Sequence, residues 1–399
     1  MFSHAAINPS RIGLAGPLAL LFLLVALVWG AGDRMLRLEF AIYDLLQRQW
    51  SATPSDRVLL VDTGPRTAGA ALWTDPRLPG VIERLNAAGA AVIVPTQAPA
   101  PDNTMPDMRQ LTALLELEQQ ANQSGRDMAS LSDRLAGFRA QFEARRAIEA
   151  ALAKTGRGVV AFTPSNPRES QGLEPCARHS VAVSDAGILD AMQPVRELVA
   201  LPPAVCDAAA SAGYAGFRAD PDGTVRQSAL LVRSEDRALP TLALAALAEA
   251  AGVSAQLRVD SQDGLLLGDH EILTGANHTI LTRFYAAESD TAGFSLTTPD
   301  AILSETADAP LISGRVVLLG ALATDTTYRT PVDPAMSGML LAATNMSNLL
   351  QSNYLIRPGW LKWSELLLVI ALAAVFLLLA PGMSLNAAAL VWSAGSGAP

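Results

Sequence analysis

The chain is organised around LISGRVVLLGALATDTTYRTPVDPAMSGMLLAATNMSNLL, residues 311–350. Residues 316–319 form a short continuous apolar run of the kind found in buried strands, and Gly320 ends it. Beyond a polar loop, Ser337 has a side chain suited to an N-cap. Apolar residues then recur at helical spacing, at Met339, Ala342, Ala343, Met346, Leu349 and Leu350. We therefore predict a buried strand, a loop and a helix with one apolar face.

Composition excludes several classes of function. Of the 399 residues, 50% are hydrophobic and 17% charged, and the net charge is −9, so no basic surface for nucleic acid is expected. The chain has no Gly-x-Ser-x-Gly elbow and no glycine-rich phosphate loop. The histidines show no metal-ligand spacing and are each expected at the surface: His4, His179, His270 and His278. We predict neither catalysis, nor a cofactor, nor a metal.

Two apolar runs predict membrane segments. Residues 12–31 carry no charge and are long enough to span about 30 Å of hydrocarbon. A cleaved signal peptide is the alternative, but its apolar core is only about 7–15 residues long, so an anchor is favoured. Residues 361–380 form the second run, and Trp360 and Trp363 at its start suit the membrane interface. Residues 1–11 are a short tail, and residues 384–399 resemble the truncated start of a third segment.

Residues 33–359 between these runs predict one mixed α/β domain with a partly parallel sheet and flanking helices. An amphipathic stalk to about Trp50 precedes a strand at residues 58–61 that ends at Asp62. A helix at 79–88 and a strand at 92–94 follow, and this order favours parallel pairing of the two strands.

Three further patterns lie in the middle of the chain. Residues 108–152 predict a helical insertion, packed on the sheet edge rather than forming a dimeric coiled coil. Its candidate inward residues are Leu111, Leu114, Leu115, Leu131, Leu135, Phe138 and Phe142. The Asp222-Gly223 pair predicts a hairpin turn, with Asp220, Asp222 and Arg226 assigned to turn chemistry. Residues 257–273 read as a three-stranded meander.

Loops after parallel strands gather ligand groups, so four residues are candidates for a polar ligand pocket: Asp62, Arg66, Asp325 and Arg329. The alternative is that the aspartates cap loops and the arginines are solvated. Cys176 and Cys206 can close a disulfide loop of about 30 residues in an oxidising compartment. Two unpaired buried thiols are the equal alternative.

Several short motifs occur in the order typical of one family. They are Tyr43-Asp44-Leu45-Leu46-Gln47-Arg48, residues 58–62, residues 81–94, Asp222-Gly223-Thr224-Val225-Arg226 and residues 314–350. Together they resemble the CHASE2 family, extracytoplasmic sensory domains of bacterial signalling proteins. The chain departs from that pattern in two places. Its Trp73, Pro76 and Arg77 only loosely match a tryptophan-proline cluster with a following arginine, and Ala342 stands where the family often has a histidine.

The resemblance implies a multi-pass inner-membrane protein with its main domain in the periplasm. It implies that transmembrane helices pass a signal to a cytoplasmic output such as an adenylate cyclase or a protein kinase, which these residues do not include. The expected partners are an extracytoplasmic ligand or envelope protein, the membrane and a second copy in a homodimer. The competing interpretation is a structural or interaction domain without a small-molecule ligand, and an extracytoplasmic hydrolase ranks third.

Overall fold

The computed structural model describes residues 32–49, 52–65, 69–99, 112, 116, 129–164, 174–183, 186–195, 198, 201–254, 257–259, 264–285, 291–323, 326–357, 364, 367, 370 and 371. Its contacts divide the chain into two units, Met1–Asp44 with Gly359–Pro399, and Leu45–Pro358. The predicted segments 1–11, 12–31 and 384–399, and most of 361–380, lie outside the described residues. Among the residues that are described, no helix combines the length and apolarity needed to cross a bilayer.

The described residues include nine α-helices: α1 Gly32–Gln49, α2 Leu78–Ala87, α3 Ala129–Thr155, α4 Ala186–Ala191, α5 Pro203–Ala208, α6 Leu242–Ala250, α7 Pro299–Leu303, α8 Ala309–Ile312 and α9 Gly338–Leu350. Short 3-10 helices cover Gly69–Thr74, Glu174–His179 and Ala276–His278. Helix α1 confirms the predicted stalk helix. In its last turns Leu45 and Leu46 are exposed whereas Gln47 is buried.

The strands are β1 Val58–Asp62, β2 Val92–Pro95, β3 Val159–Phe162, β4 Ala182–Val183, β5 Gln193–Pro194, β6 Ser211–Tyr214, β7 Gln227–Ala229, β8 Leu231–Ser234, β9 Arg237–Pro240, β10 Leu257–Val259, β11 Gly264–Leu267, β12 His270–Leu273, β13 Thr279–Leu281, β14 Ser295–Thr297, β15 Val316–Gly320, β16 Thr327–Tyr328 and β17 Met336–Ser337. The predicted meander is confirmed as β10, β11 and β12, paired antiparallel.

The central sheet has the order β14-β1-β15-β2, and every pair in it is parallel. Leu318 in β15 lies opposite Leu60 on one side and Val94 on the other. Strands β1 and β2 are parallel in one sheet, as predicted, but they do not pair with each other, because β15, buried along its whole length, lies between them. An isolated parallel β-bridge between Ile93 and Gly158 connects β2 to the segment that begins the parallel pair β3 and β6.

Helices cover both faces of this sheet, which confirms the mixed α/β class. Alternate strand residues such as Leu59, Val317 and Ile93 join the core cluster formed with α2 and α3. Helices α6 and α9 pack against the strands as well, α9 on β1 and β15 and α6 on β2, β3 and β6. The strands are thus buried on both faces, as their continuous apolar runs predict.

Three local predictions need correction. The Asp222-Gly223 turn forms, but no hairpin follows, because β6 pairs with β3 and β7 pairs with β13. Phe138 is exposed rather than inward, and burial in α3 is instead concentrated toward its C-terminal half, at Ile148, Ala151 and Leu152. His278 is fully buried rather than at the surface. Most of the predicted insertion before residue 129 lies outside the described residues.

Candidate functional site

Helix α9 buries polar as well as apolar side chains. It begins as predicted, with the Ser337 hydroxyl accepting a hydrogen bond from the Leu340 N–H at 3.2 Å. Residues from Met339 to Leu349 are all buried, so the prediction of one apolar face is too narrow. Four of these residues are polar and at most 2% exposed: Thr344, Asn345, Ser347 and Asn348. A buried polar group left without a hydrogen bond costs about 1–3 kcal/mol, so each needs a partner.

Asn348 finds its partners in the segment that follows β13. Its Oδ1 accepts from the backbone N–H of Arg283 at 2.7 Å, and its Nδ2 donates to the carbonyl of Arg283 at 3.0 Å. The same amide donates to the Tyr285 hydroxyl, which also lies 2.7 Å from the Ser347 hydroxyl. One side chain of α9 therefore pairs with the backbone of the neighbouring segment much as an adjacent strand would.

Asn345 continues this network in the other direction. The Thr282 hydroxyl donates to Asn345 Oδ1 at 2.9 Å, and the Ser228 hydroxyl lies 2.9 Å from the Thr282 hydroxyl. All three residues are buried. A chain of hydrogen bonds thus leads from α9 through the post-β13 segment to β7.

The turn before β7 joins the same network through Arg226. The Arg226 guanidinium is 3% exposed and pairs with Asp220 at 3.1 Å and with Asp222 at 2.7 Å. The hydrogen bond from Arg226 lowers the pKa of Asp222 to about 2. Asp222 also accepts from the Thr224 N–H, so its assignment to turn chemistry is confirmed. The carbonyl of Arg226 accepts from the Thr282 N–H at 3.0 Å, which ties the turn to the network.

The network contacts the domain where the chain enters it. Gln47, near the end of α1, accepts a hydrogen bond at Oε1 from the Phe284 N–H at 2.9 Å. The Ser55 N–H donates to the Ser347 hydroxyl at 2.7 Å. Both contacts fall before β1, which means that the entry segment is fixed directly to α9 and its partner segment.

The network also contacts the segment that leaves α9. The Asn353 N–H donates to the Asn348 carbonyl at 2.8 Å, and the Arg283 guanidinium donates to the Asn353 side chain. Leu355 and Leu281 exchange backbone hydrogen bonds at 2.8 and 3.1 Å. Helix α9 and residues 281–284 therefore contact both the entering and the leaving segment of the domain.

A second feature is an open cleft of about 580 Å³ beyond the carboxyl end of β1. Its lining residues are Thr63, Gly64, Pro65, Ala71, Thr74, Asp75, Pro76 and Arg77. Clefts at the carboxyl ends of parallel strands are the usual ligand sites of such sheets, and this volume lies within the range of roughly 300–1,000 Å³ seen for small-molecule pockets.

Ion pairs order the wall of the cleft. Asp75 is 5% exposed and accepts from the Arg77 guanidinium at 2.9 Å. Arg77 also donates to the Thr63 carbonyl at 3.2 Å and pairs with Asp300 at 3.3 Å. The Asp75 hydrogen bond is the main cause of a raised pKa at Arg77, which keeps this side chain charged. Trp73 anchors the wall from behind by donating to the Gln97 carbonyl at 2.7 Å.

The predicted pocket residues do not all come together. Asp62 accepts from the N–H groups of Gly64 at 3.0 Å and Leu322 at 3.1 Å, which is the loop-capping arrangement named as its alternative. Arg329 is exposed, and its carbonyl accepts from Val225. Within the described part of the chain, no hydrogen bond or ion pair joins Asp62 to Arg329. Arg66 and Asp325 lie outside the described residues.

Comparison with known proteins gives one family match. The model of the CHASE2 domain matches residues 18–379, nearly the whole chain. The chain belongs to the CHASE2 family. No curated protein and no solved structure matches it. CHASE2 domains are sensory and non-catalytic, so a sensory role is consistent with this membership.

The CHASE2 motif residues lie in both features of the site. Trp73, Pro76 and Arg77, the loose match to the family's tryptophan-proline cluster, surround or support the cleft. Ala342, at the position where the family often carries histidine, lies on α9 beside a small cavity that Asn345 also lines. The cleft and the α9 network are therefore both built from segments that carry the family pattern.

A disulfide supports the CHASE2 domain away from the site. Cys176, in the 3-10 helix Glu174–His179, is bonded to Cys206 in α5, and their Cα atoms are 5.4 Å apart. Arg178 donates to the Cys206 carbonyl and pairs with Asp207 at 3.1 Å. Burial lowers the pKa of the adjacent His179. These contacts hold an irregular segment against the core.

Sequence reasoning missed Asp75, Gln47 and the polar residues of α9 as members of the site. A signal for the last group exists: Thr344-Asn345-Met346-Ser347-Asn348 places polar residues on every side of an otherwise apolar helix. In a helix that is buried all round, such residues must find partners in other elements. No such signal marks Gln47. Its neighbours Leu45 and Leu46 are apolar, so the sequence pattern predicts that they face the core, whereas the structure exposes them and buries Gln47.

Proposed function

We propose that the chain is the outward-facing sensory part of a multi-pass inner-membrane signalling protein. In this proposal residues 33–359 form the periplasmic domain, and residues 12–31 and 361–380 cross the membrane. A solute or envelope protein binds outside, and the segment after α9 passes the change to a cytoplasmic output, such as a cyclase or kinase, beyond these residues. Family membership supports the sensory role, and the uncharged run at residues 12–31 supports the anchor.

One observation carries the proposal: a single hydrogen-bonded network meets both the entering and the leaving segment of the domain. Gln47 and Ser55 are bonded to it on one side, and Asn353 and Leu355 on the other. A ligand can shift two arrangements of α9 only by its difference in affinity for them. Any such shift would change hydrogen bonds at both chain exits, because the Ser347 hydroxyl accepts from Ser55 and the Asn348 backbone carbonyl accepts from Asn353.

The cleft beyond β1 is the proposed site for the extracytoplasmic ligand. Its wall combines one cation, Arg77, with one carboxylate, Asp75, so that a polar solute would meet a donor and an acceptor together. Asp62, Arg66, Asp325 and Arg329 remain proposed ligand residues on the sequence pattern alone. Asp62 links this site to β15 through the Leu322 N–H, and β15 leads toward α9.

Reporter fusions test the topology. Alkaline phosphatase inserted at Ser170 should be active, because that enzyme folds only outside the cytosol, and a fluorescent reporter that matures only in the cytosol should be dark there. The same pair fused after Pro399 reports the side on which the chain leaves. Fluorescence at Ser170 would end the case for an external receptor.

Ligand screening tests the sensor itself. The full chain in detergent would be screened by thermal shift against periplasmic solutes, with Asp62→Ala and Asp325→Ala as site variants and Asp236→Ala as an exposed control. A hit lost in the site variants and kept in the control supports sensing.

The competing function is an interaction domain without a small-molecule ligand. Exposed apolar side chains on α1 favour it, since Ile42, Leu45 and Leu46 lie at helical spacing and are 41–56% exposed. A second copy of the chain is the homodimer partner that such a stripe would suit. Absence of any hit in the screen, with crosslinking of two copies through α1 or through residues 108–152, would favour this function.

A further inference from the structure

A small cavity lies between β6, β7, α6 and α9. It shares no lining residue with the cleft beyond β1. Its volume is about 20 Å³, room for roughly one water molecule or one small polar group. Tyr214, Phe217, Arg218, Thr241 and Asn345 are among the residues that line it. Gly213 allows β6 to approach α6 this closely, since a Cβ there would lie 2.7 Å from the Leu242 Cα.

One buried donor in the cavity wall, the Thr241 hydroxyl, has no partner among the residues that the structure describes, and the Asn345 side chain lines the same cavity. Thr241 is 9% exposed, and its hydroxyl makes no hydrogen bond with any residue in the described part of the chain. Thr241 is the N-cap residue of α6, yet its side chain does not cap the helix. Asn345 is 2% exposed, and its one side-chain hydrogen bond uses Oδ1, so its amide N–H groups find no acceptor among the described residues. Both groups can donate a hydrogen bond. A buried donor without an acceptor lowers the folding stability by about 1–3 kcal/mol.

The charge around the cavity is positive. Arg218 is exposed at the cavity wall and makes no ion pair within the described residues. The nearest acidic residue along the chain, Asp220, is taken by Arg226, and no carboxylate is among the lining residues. The N-terminus of α6, a nine-residue helix, adds the partial positive charge that favours anions.

The wall also limits what can enter. Phe217 stands beside Arg218 and packs edge-on against Tyr328, with ring centroids 5.2 Å apart. Burial raises the pKa of Tyr214 to about 12, so this wall brings no negative charge of its own near neutral pH. A planar three-atom carboxylate suits an enclosed space of this size better than a tetrahedral phosphate or sulfate.

We propose that this cavity binds the carboxylate group of a small organic acid. The carboxylate oxygens accept from the Thr241 hydroxyl and the Asn345 amide, and Arg218 supplies the balancing charge. Asn345 also accepts from Thr282 in the α9 network, so the bound acid lies one side chain from the contacts that hold both chain exits. Binding itself is independent of the proposed sensory function, whereas a signalling role for the acid rests on it.

Titration of the full chain in detergent with sodium acetate and sodium formate tests the proposal. Sodium chloride at equal ionic strength is the salt control, and sodium phosphate distinguishes a carboxylate site from a general anion site. Melting temperature and line broadening of ¹³C-labelled acetate would be followed for the wild type, Arg218→Gln and Thr241→Val. Arg258→Gln, which removes an exposed arginine of β10, is the matched control.

Saturable acetate binding is expected in the wild type and in Arg258→Gln. Arg218→Gln should need about tenfold more acetate, because it loses a charge-assisted contact, and Thr241→Val several-fold more. Melting of each variant without acetate shows whether it is folded. Equal responses to acetate and chloride, equal responses to acetate and phosphate, or unchanged binding in both cavity variants would overturn the proposal. Such a result with alkaline phosphatase active at Ser170 would leave the sensory proposal standing, so the two failures can be told apart.

Discussion

Helices α9 and α3 use their polar side chains in opposite ways. In α9 the partners are distant along the chain, as with Asn348 and Arg283, which are 65 residues apart. In α3 two ion pairs are internal, from Arg139 to Glu143 and from Arg145 to Glu149, each four residues apart. Among the ion pairs of the described residues, α3 pairs with another helix only at its C-terminal end, through Lys154 and Glu83 of α2. Pairs four residues apart can stabilise a helix even when the rest of the domain is unfolded. The α9 pairs form only when distant segments of the chain have assembled.

This difference indicates where the molecule can carry a signal. A change in α3 alters contacts within its own turns and on one side of the core. A shift of α9 alters hydrogen bonds to the entering and leaving segments together, because the Ser347 hydroxyl accepts from Ser55 and the Asn348 backbone carbonyl accepts from Asn353. Substitutions of similar chemistry should therefore have unequal effects in the two helices.

The largest effect is expected for Asn348→Leu. Leucine matches asparagine in its number of side-chain heavy atoms but has a larger volume. The substitution removes the partners of the part-buried Arg283 N–H and carbonyl, polar groups that cost about 1–3 kcal/mol each when unmet. The free energy of unfolding should fall by about 3 kcal/mol. Urea unfolding of the full chain, followed by tryptophan fluorescence, measures it. The same change at exposed Asn86 in α2 should cost less than about 0.5 kcal/mol.

Hydrogen exchange sharpens this test. If the network joins the two chain exits, Asn348→Leu should speed amide exchange at Ser55 and at Leu355, although neither residue is changed. Faster exchange in α9 alone would mean that its contacts do not couple the segments.

Glu149→Gln in α3 is expected to come second. The Arg145–Glu149 pair is nearly buried, with side chains 7% and 13% exposed, so neutralising Glu149 leaves a charge in a poorly solvated place. The loss should be about 2 kcal/mol, below the cost of removing a buried partner entirely because glutamine can still accept a hydrogen bond. Equal stability of Glu149→Gln and the wild type would show that burial does not strengthen the local pairs of α3.

The sequence predicted three strands of the central sheet, β1, β2 and β15, but neither β14 nor the strand order. Apolar runs identify β1, β2 and β15, because strands buried on both faces need continuous hydrophobic residues. That β15 lies between β1 and β2 could not be read locally, since β15 follows them by more than 200 residues in the chain. Sheet order depends on contacts between distant strands, and no local pattern records them.

The site was harder to predict than the fold. Asp62 was found because it ends a strand, but whether its carboxylate would cap a loop or face a ligand depends on Leu322, which is brought close only by strand pairing. Asn345 and Asn348 were correctly assigned to a helix, but their buried hydrogen bonds were not predicted. Helical periodicity is read from the apolar residues alone, so it gives no information about the partners of polar ones. The partners of a buried polar residue are set by tertiary structure.

Strong acid should weaken the Asp222 turn. Arg226 lowers the pKa of folded Asp222 from 3.8 to about 2, so its contribution to stability is complete above pH 4 and disappears as pH falls through 2. Because the Asp222 side chain is 44% exposed, solvent screens the pair and the contribution should be only about 1 kcal/mol. Unfolding of Asp222→Asn and the wild type, compared from pH 5 to 2, should differ at the upper end and converge at the lower. Asp236→Asn, an exposed control, should show no such convergence.

The smallest effect is expected for Glu143→Gln, and it completes the comparison within α3. Its pair with Arg139 has the same residue types and the same spacing as Arg145–Glu149, but the two side chains are 60% and 58% exposed. An exposed pair at this spacing contributes about 0.3–0.5 kcal/mol, since water screens the charges and both side chains lose freedom. Salt should reduce the Glu143 effect further while leaving the Glu149 effect nearly unchanged, because a buried pair is shielded from ions. Unfolding of both variants in low and high salt separates the two cases. Equal losses at Glu143 and Glu149 would mean that position along α3, rather than solvent exposure, sets the strength of these pairs, and the contrast with α9 would then have to rest on something other than burial.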